Sequence, residues 1–300
     1  MMNKVEMLQH VALSNGETIT YRMREGGEEV VVLVHGNMTS SKHWDLLLEK
    51  MDAQFTIYAL DMRGFGGSTY NTRITSIQDF SDDLKLFVDA LGLKDFTLVG
   101  WSTGGNVAMQ FCADYADYCK KLVLFASGST RGYPFYGSNP DGTPDLQNRL
   151  QTIEQIEQDP VKTIPMQQLY DAKHRDGLKF VWNSAIYTQN VPDDVRYEEY
   201  LDDMLTQRNL ADVYHALNLF NISAVPNEVS EGTNQVDAIQ VPTLILHGDR
   251  DYVVPMNMTN EIIEDFKGRA QIISLENCGH SPLMDALEEA NNAIEQFILS

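Results

Sequence analysis

Three hundred residues with 43% hydrophobic content can bury a full core, as one large α/β domain or as a core carrying an insertion. A net charge of −21 excludes nucleic acid as a partner, because binding it takes a basic patch, and disfavours anionic membranes and polyanionic substrates. No apolar run approaches the roughly 18 residues of a membrane span, so none is expected.

The opening stretch MMNKVEMLQHVALSNGE has no apolar run of the kind that marks a secretory signal, so none is expected there. Val5 to Leu13 and Thr18 to Arg24 alternate like strands around Ser14-Asn15-Gly16-Glu17, a hairpin signal. Val30 to Val34 is a continuous apolar run, the pattern of a strand buried on both faces of a mostly parallel sheet. It ends in His35-Gly36-Asn37-Met38, and an amphipathic helix is expected over Ser40 to Met51. Phe55 to Leu60 reads as the next strand. The glycine-rich loop Asp61 to Ser68 after it lacks the spacing of a phosphate-binding loop. A helix over Ile77 to Leu91 follows.

Phe96 to Val99 is then a strand and Thr103 to Ala116 a helix. Between them Gly100-Trp101-Ser102-Thr103-Gly104 forms G-x-S-x-G, the turn that lifts a serine hydroxyl clear of a sheet. Ser102 is the candidate nucleophile. After the strand Leu122 to Phe125 the α/β alternation stops. Residues 129–237 show no convincing strand but helical patterns near 145–157, 165–173, 178–188, 194–206 and 210–220, with many aromatics. A strand from Val241 to Gly248, a helix from Met258 to Phe266, a strand from Ala270 to Leu275 and a helix from Leu283 to Leu299 complete the chain. The division expected is core over 1–128, helical cap over 129–237 and core again over 238–300. The cysteines Cys112, Cys119 and Cys278 cannot all pair and show no metal spacing, which fits a reducing cytoplasm.

A serine at this turn needs a base, an acid to orient it and an oxyanion hole, with the acid and then the base following it along the chain. Of seven histidines only His280 comes after the last strand, in a loop from which it can face Ser102. Asp249 and Asp251 both follow the strand ending at Gly248, and spacing leaves both open as the acid. The oxyanion hole needs the amide of Thr103 and one from the loop after the third strand, Asn37 first and Met38 second. His35 is expected to hold that loop, because it precedes Ser102 in the chain. Neither metal nor organic cofactor is called for.

These motifs, with Asp61-x-Arg63-Gly64-x-Gly66-x-Ser68, Gly248-x-x-Asp251-x-x-x-Pro255 and Gly279-His280-Ser281-Pro282, resemble the α/β-hydrolase superfamily. The resemblance implies an α/β-hydrolase fold: a mostly parallel central sheet with an antiparallel N-terminal hairpin, helices on both faces and an inserted cap. It puts the acid on Asp251. GNMTSSKHWD at 36–45, DMRGFGGST at 61–69 and the tryptophan before the serine resemble short bacterial intracellular poly(3-hydroxybutyrate) depolymerases. That likeness implies a cytoplasmic serine esterase acting on polyester granules or 3-hydroxybutyrate oligomers. One departure is Thr103, where methionine occurs in such enzymes; the oxyanion hole needs only its backbone N–H. A small-molecule esterase, lactonase, thioesterase, C–C bond hydrolase or haloperoxidase would use the same residues, and a non-catalytic ligand receptor would keep the fold alone. Oligomeric state has no sequence signature here.

Overall fold

The computed structural model describes residues 8–300; Val5 to Met7 of the first expected strand lie outside the described residues. In chain order the elements are β1 (Gln9–Ala12), β2 (Thr18–Arg24), β3 (Glu29–Val34), α1 (Asp45–Lys50), β4 (Phe55–Leu60), α2 (Ile77–Ala90), β5 (Phe96–Trp101), α3 (Thr103–Asp114) and β6 (Cys119–Phe125). Then come β7 (Tyr136–Ser138), β8 (Pro144–Arg149), α4 (Ile153–Glu157), α5 (Thr163–Asp171), α6 (Arg175–Ala185), α7 (Asp194–Met204) and α8 (Leu210–Leu219). β9 (Thr243–Gly248), α9 (Met256–Phe266), β10 (Ala270–Leu275), α10 (Pro282–Asp285) and α11 (Leu287–Leu299) close the chain.

Eight strands form one sheet in the order β1-β2-β4-β3-β5-β6-β9-β10. β1, β2 and β4 pair antiparallel in succession, and every other pairing is parallel. The central strands alternate between two cores, because successive side chains leave a strand on opposite faces. Val32 and Val34 of β3 join α2 and α3 on one face. Val31 and Leu33 join Trp44, Leu47 and α11 on the other, together with Trp182, Tyr197 and Tyr200 of the segment between β6 and β9. Both faces are therefore covered, which is what a continuous apolar run in β3 requires.

Three local expectations need correction. The segment 129–237 does contain strands: β7 and β8 form an antiparallel hairpin, where a helix was expected to begin at 145. Its turn closes through Gly142 N–H on Asn139 O at 2.9 Å and Asn139 N–H on Thr143 O at 2.8 Å. Pro140-Asp141-Gly142 favours a turn, not a helix. The stretch from Ser40 opens as a 3-10 turn over Ser41–Trp44 before α1, and the last helix is broken at Ala286 into α10 and α11.

The end of α7 and the loop from it to α8 are sewn to the core. Asp203 accepts from Ser40 Oγ at 2.5 Å and pairs with His43 Nδ1 at 3.1 Å. Asn209 donates to Arg63 O at 2.8 Å, and Gly66 N–H donates to Thr206 Oγ1 at 2.8 Å. The glycine-rich loop after β4 is thus a structural anchor. Its Asp61 carboxylate takes the amides of Ser41 and Gly67, each at 2.9 Å.

Candidate active site

Ser102 stands between β5 and α3 at φ +54°, ψ −118°, a left-handed conformation that costs a non-glycine residue about 1–3 kcal/mol. The surroundings enforce it. Its N–H donates to Phe125 O at 3.0 Å, and its carbonyl accepts from Gly105 N–H at 2.9 Å. The turn is tight enough that a Cβ on Gly100 would lie 2.2 Å from Gly104 O, and one on Gly104 would lie 2.2 Å from Val34 O. This close approach is the physical content of the two glycines of G-x-S-x-G.

His280 comes from the loop after β10. Its Nε2 lies 3.0 Å from Ser102 Oγ, and its Nδ1 lies 2.8 Å from Asp251 Oδ2. A carboxylate only accepts, so Nδ1 carries the proton and bare Nε2 accepts from the Ser102 hydroxyl. The His280 loop is pinned from below: Trp101 Nε1–H donates to His280 O at 3.0 Å, and Gly279 N–H donates to Asp285 Oδ2 at 2.8 Å. Trp101 thereby gains a specific task, holding the histidine from the residue next to the serine.

The two aspartates that spacing left open do different things. Asp251 offers Oδ2 to His280 while its Oδ1 takes the amides of Val253 at 2.9 Å and Val254 at 2.8 Å. Asp249 turns to the loop backbone instead. It accepts the Cys278 amide at 3.0 Å, and that bond, with further backbone contacts, holds its carboxyl below the usual carboxylate range. His35 is fully buried. Its Nδ1–H donates to Gly36 O at 2.7 Å and its Nε2 accepts the Met62 amide at 2.9 Å, so it links the loops after β3 and β4 and does not meet Ser102.

Thr103 is the first residue of α3, where an amide has no acceptor within the helix. In the facing loop, the Met38 amide donates to Asn37 Oδ1 at 3.0 Å. The Asn37 amide makes no hydrogen bond among the described residues. Of the two amides weighed for this loop, Asn37's is the free one.

Ser102, His280, Asn37 and Thr103 share a cavity of about 300 Å³. Tyr133, Pro134, Phe135, Trp182, Ala185 and Ile186, all from the segment between β6 and β9, line it as well. Tyr187 and Tyr197 pack instead into the buried aromatic cluster. Polar side chains near the site that no motif announces include Lys162, which lines the cavity, and Gln207, which touches Asn37. Among the described residues no three His, Cys, Asp or Glu side chains gather as metal ligands, and no helix is long and apolar enough to cross a membrane.

A family model described as the alpha/beta hydrolase fold matches residues 29–287. The chain is 25% identical over 274 residues to the AB hydrolase superfamily protein YisY of Bacillus subtilis, covering 89% of this chain and 90% of that one. It is 24% identical over 286 residues to a 2-hydroxy-6-oxononadienedioate/2-hydroxy-6-oxononatrienedioate hydrolase of Paraburkholderia phymatum, covering 93% and 90%. The fold is that of an esterase from Exiguobacterium antarcticum, with a TM-score of 0.73 at 18% identity over 98% of this chain and 100% of that one. It is also that of the enol-lactonase from Burkholderia xenovorans, with a TM-score of 0.71 at 17% identity over 97% and 100%. With more than half of its length matched by the family model, this chain belongs to the alpha/beta hydrolase family.

Proposed function

We propose that this protein is a carboxylic ester hydrolase in which Ser102 is the nucleophile, His280 the general base, Asp251 its orienting acid, and the Asn37 and Thr103 amides the oxyanion hole. The observation that carries this reading is the hydrogen-bonded line from Ser102 Oγ through His280, 3.0 Å on one side, to Asp251, 2.8 Å on the other, opening on the cavity. The Ser102 oxygen bonds to the ester carbonyl carbon as its proton passes to His280 Nε2. The carbonyl oxygen becomes an oxyanion facing the two amides. Collapse breaks the bond to the alcohol oxygen, which leaves with the His280 proton. Water then adds to the acyl-enzyme, giving its proton to His280. The acid departs as Ser102 recovers that proton. Residues 129–237 act as the cap that shapes acyl preference and limits water.

The substrate we propose is poly(3-hydroxybutyrate) or its oligomers, in the cytoplasm. The motifs at 36–45, 61–69 and around Ser102 support it, as do three buried cysteines that are all unpaired. A second reading, C–C bond hydrolysis, draws support from the Paraburkholderia phymatum relative. The test is release of soluble 3-hydroxybutyrate from amorphous granules by wild type and Ser102→Ala, beside a short nitrophenyl ester. Release by wild type alone supports the depolymerase. Ester cleavage without release keeps the esterase and discards the polymer. Turnover of dienones with silence on both esters favours the C–C reaction.

A further inference from the structure

The cavity that holds Ser102 contains a single fixed positive charge, Lys162, and no Asp or Glu among its lining residues. Lys162 precedes α5 and is half-buried. Its ammonium stands 4.1 Å from the centre of the Phe135 ring and donates one hydrogen bond to Tyr136 O. No carboxylate lies within ion-pair distance of it among the described residues. The nearest acidic neighbour in sequence, Asp159, is buried and occupied with backbone. Its Oδ1 takes the amides of Lys162 at 2.6 Å and Val161 at 3.2 Å. An ammonium has three donors, and among the described residues only one of these has a protein acceptor.

A charged group on an apolar cavity wall without a direct ion pair is costly, and burial pulls the Lys162 ammonium below its usual range against the opposing charge of Asp159. The chain as a whole carries −21, so carboxylates are abundant and yet none is paired here. Distant surface charges are screened beyond about 10 Å in 0.1 M salt, whereas a charge inside the cavity acts on whatever occupies it. A neutral substrate would leave the lysine uncompensated. A substrate bearing one carboxylate would complete it.

We propose that Lys162 is an anion anchor, and that the preferred substrates are short esters carrying a free carboxylate, bound with the ester carbonyl at Ser102 and the carboxylate at Lys162. This deepens the ester-hydrolase reading and rests on it. For a hydroxyalkanoate chain it selects the free-acid end of an oligomer over the neutral interior of a polymer, because only that end presents the anion. Charge-assisted hydrogen bonds of this kind are the stronger class, so the lysine can dominate substrate choice in a cavity otherwise lined by groups such as Phe135, Trp182 and Val254.

The experiment uses the full chain and two substrate pairs. 3-Acetoxybutanoate against its methyl ester, followed by acetate release, puts the carboxylate on the alcohol side. Monomethyl glutarate against dimethyl glutarate puts it on the acyl side. We expect the carboxylate member of one pair to exceed its neutral partner at least tenfold in kcat/KM. Lys162→Met, which keeps a chain over Phe135, is expected to collapse that ratio at least tenfold, mainly through KM. A ratio at or below one in both pairs, or a ratio that Lys162→Met leaves intact, overturns the proposal. Titration of 3-acetoxybutanoate and of monomethyl glutarate into Ser102→Ala, with and without Lys162→Met, reads the anchor without turnover. Loss of at least tenfold in affinity for either acid supports it, and unchanged affinity for both overturns it. If wild type cleaves no ester while this affinity difference holds, the hydrolase reading falls and the anchor stands.

Discussion

Gln207, in the turn between α7 and α8, donates through Nε2 to the side-chain oxygen of Asn37 at 2.8 Å. The same Asn37 oxygen accepts the Met38 amide at 3.0 Å. Tyr170 OH on Gln207 Oε1 at 3.3 Å, and Gln207 Nε2 on Asn209 Oδ1 at 3.1 Å, fix the glutamine in turn. A residue far along the chain thus fixes the side chain of Asn37, whose loop lines the cavity with Ser102. Replacing Gln207 with Ala is expected to lower kcat about tenfold while KM moves less, since a misaligned oxyanion donor weakens the transition state more than the ground state. Steady-state kinetics on a short ester check this; a raised KM at constant kcat would reduce Gln207 to part of the cavity wall.

The two aspartates separate by mutation. Ser102→Ala and His280→Ala are expected to lower kcat roughly 10⁶-fold if they act as one unit. Asp251→Asn should cost about 10⁴-fold, because an amide at that position favours the wrong imidazole tautomer. Asp249→Asn should change kcat little, since its oxygen serves the Cys278 amide. Reversal of the last two would move the acid to Asp249.

Gly104→Ala tests the tightness of the turn. The new Cβ would meet Val34 O at 2.2 Å, in rigid β3 backbone. Stability is expected to fall by about 3 kcal/mol or more, at or beyond the usual cost of overpacking. Urea unfolding measures it, and a neutral substitution would mean that the strand and helix separate more readily than their contacts imply.

His35 gives a pH dependence. Burial is the main cause that pulls its pKa from 6.5 down to about 4, against the opposing bond to Gly36 O. The unfolded chain therefore takes the proton first as pH falls. Stability from this group is full above pH 6.5 and lost as pH drops through 4, by up to about 3 kcal/mol at 1.36 kcal/mol per unit. Histidine NMR, assigned with His35→Asn, should show this ring still neutral at pH 5. A midpoint near 6.5 would contradict the burial argument.

What the sequence made legible was what local pattern encodes. The run Val30 to Val34 announces a doubly covered strand, and G-x-S-x-G announces a turn that only glycines at positions 100 and 104 can close. Chain order alone singled out His280, which lies 3.0 Å from the serine. Spacing alone left Asp249 and Asp251 open and only the resemblance favoured Asp251, because both follow β9 and the path of the 277–280 loop gives each its partner. The β7–β8 hairpin was missed because β8 is mostly exposed and lacks apolar alternation, while Leu146 and Leu150 mimic helical spacing. Lys162 and Gln207 were missed for another reason: their partners lie 26 and 170 positions away, beyond any local period.

Ser102 is proposed to attack a carbonyl with His280 as its base. Treatment with a fluorophosphonate followed by peptide mass spectrometry tests it most directly, in wild type, Ser102→Ala and His280→Ala. A stoichiometric adduct on Ser102 is expected in wild type with loss of esterase activity, none at that position in Ser102→Ala, and labelling slowed by several orders of magnitude in His280→Ala. An intact, ligand-binding wild type that never forms the adduct, or equal labelling without His280, would contradict it.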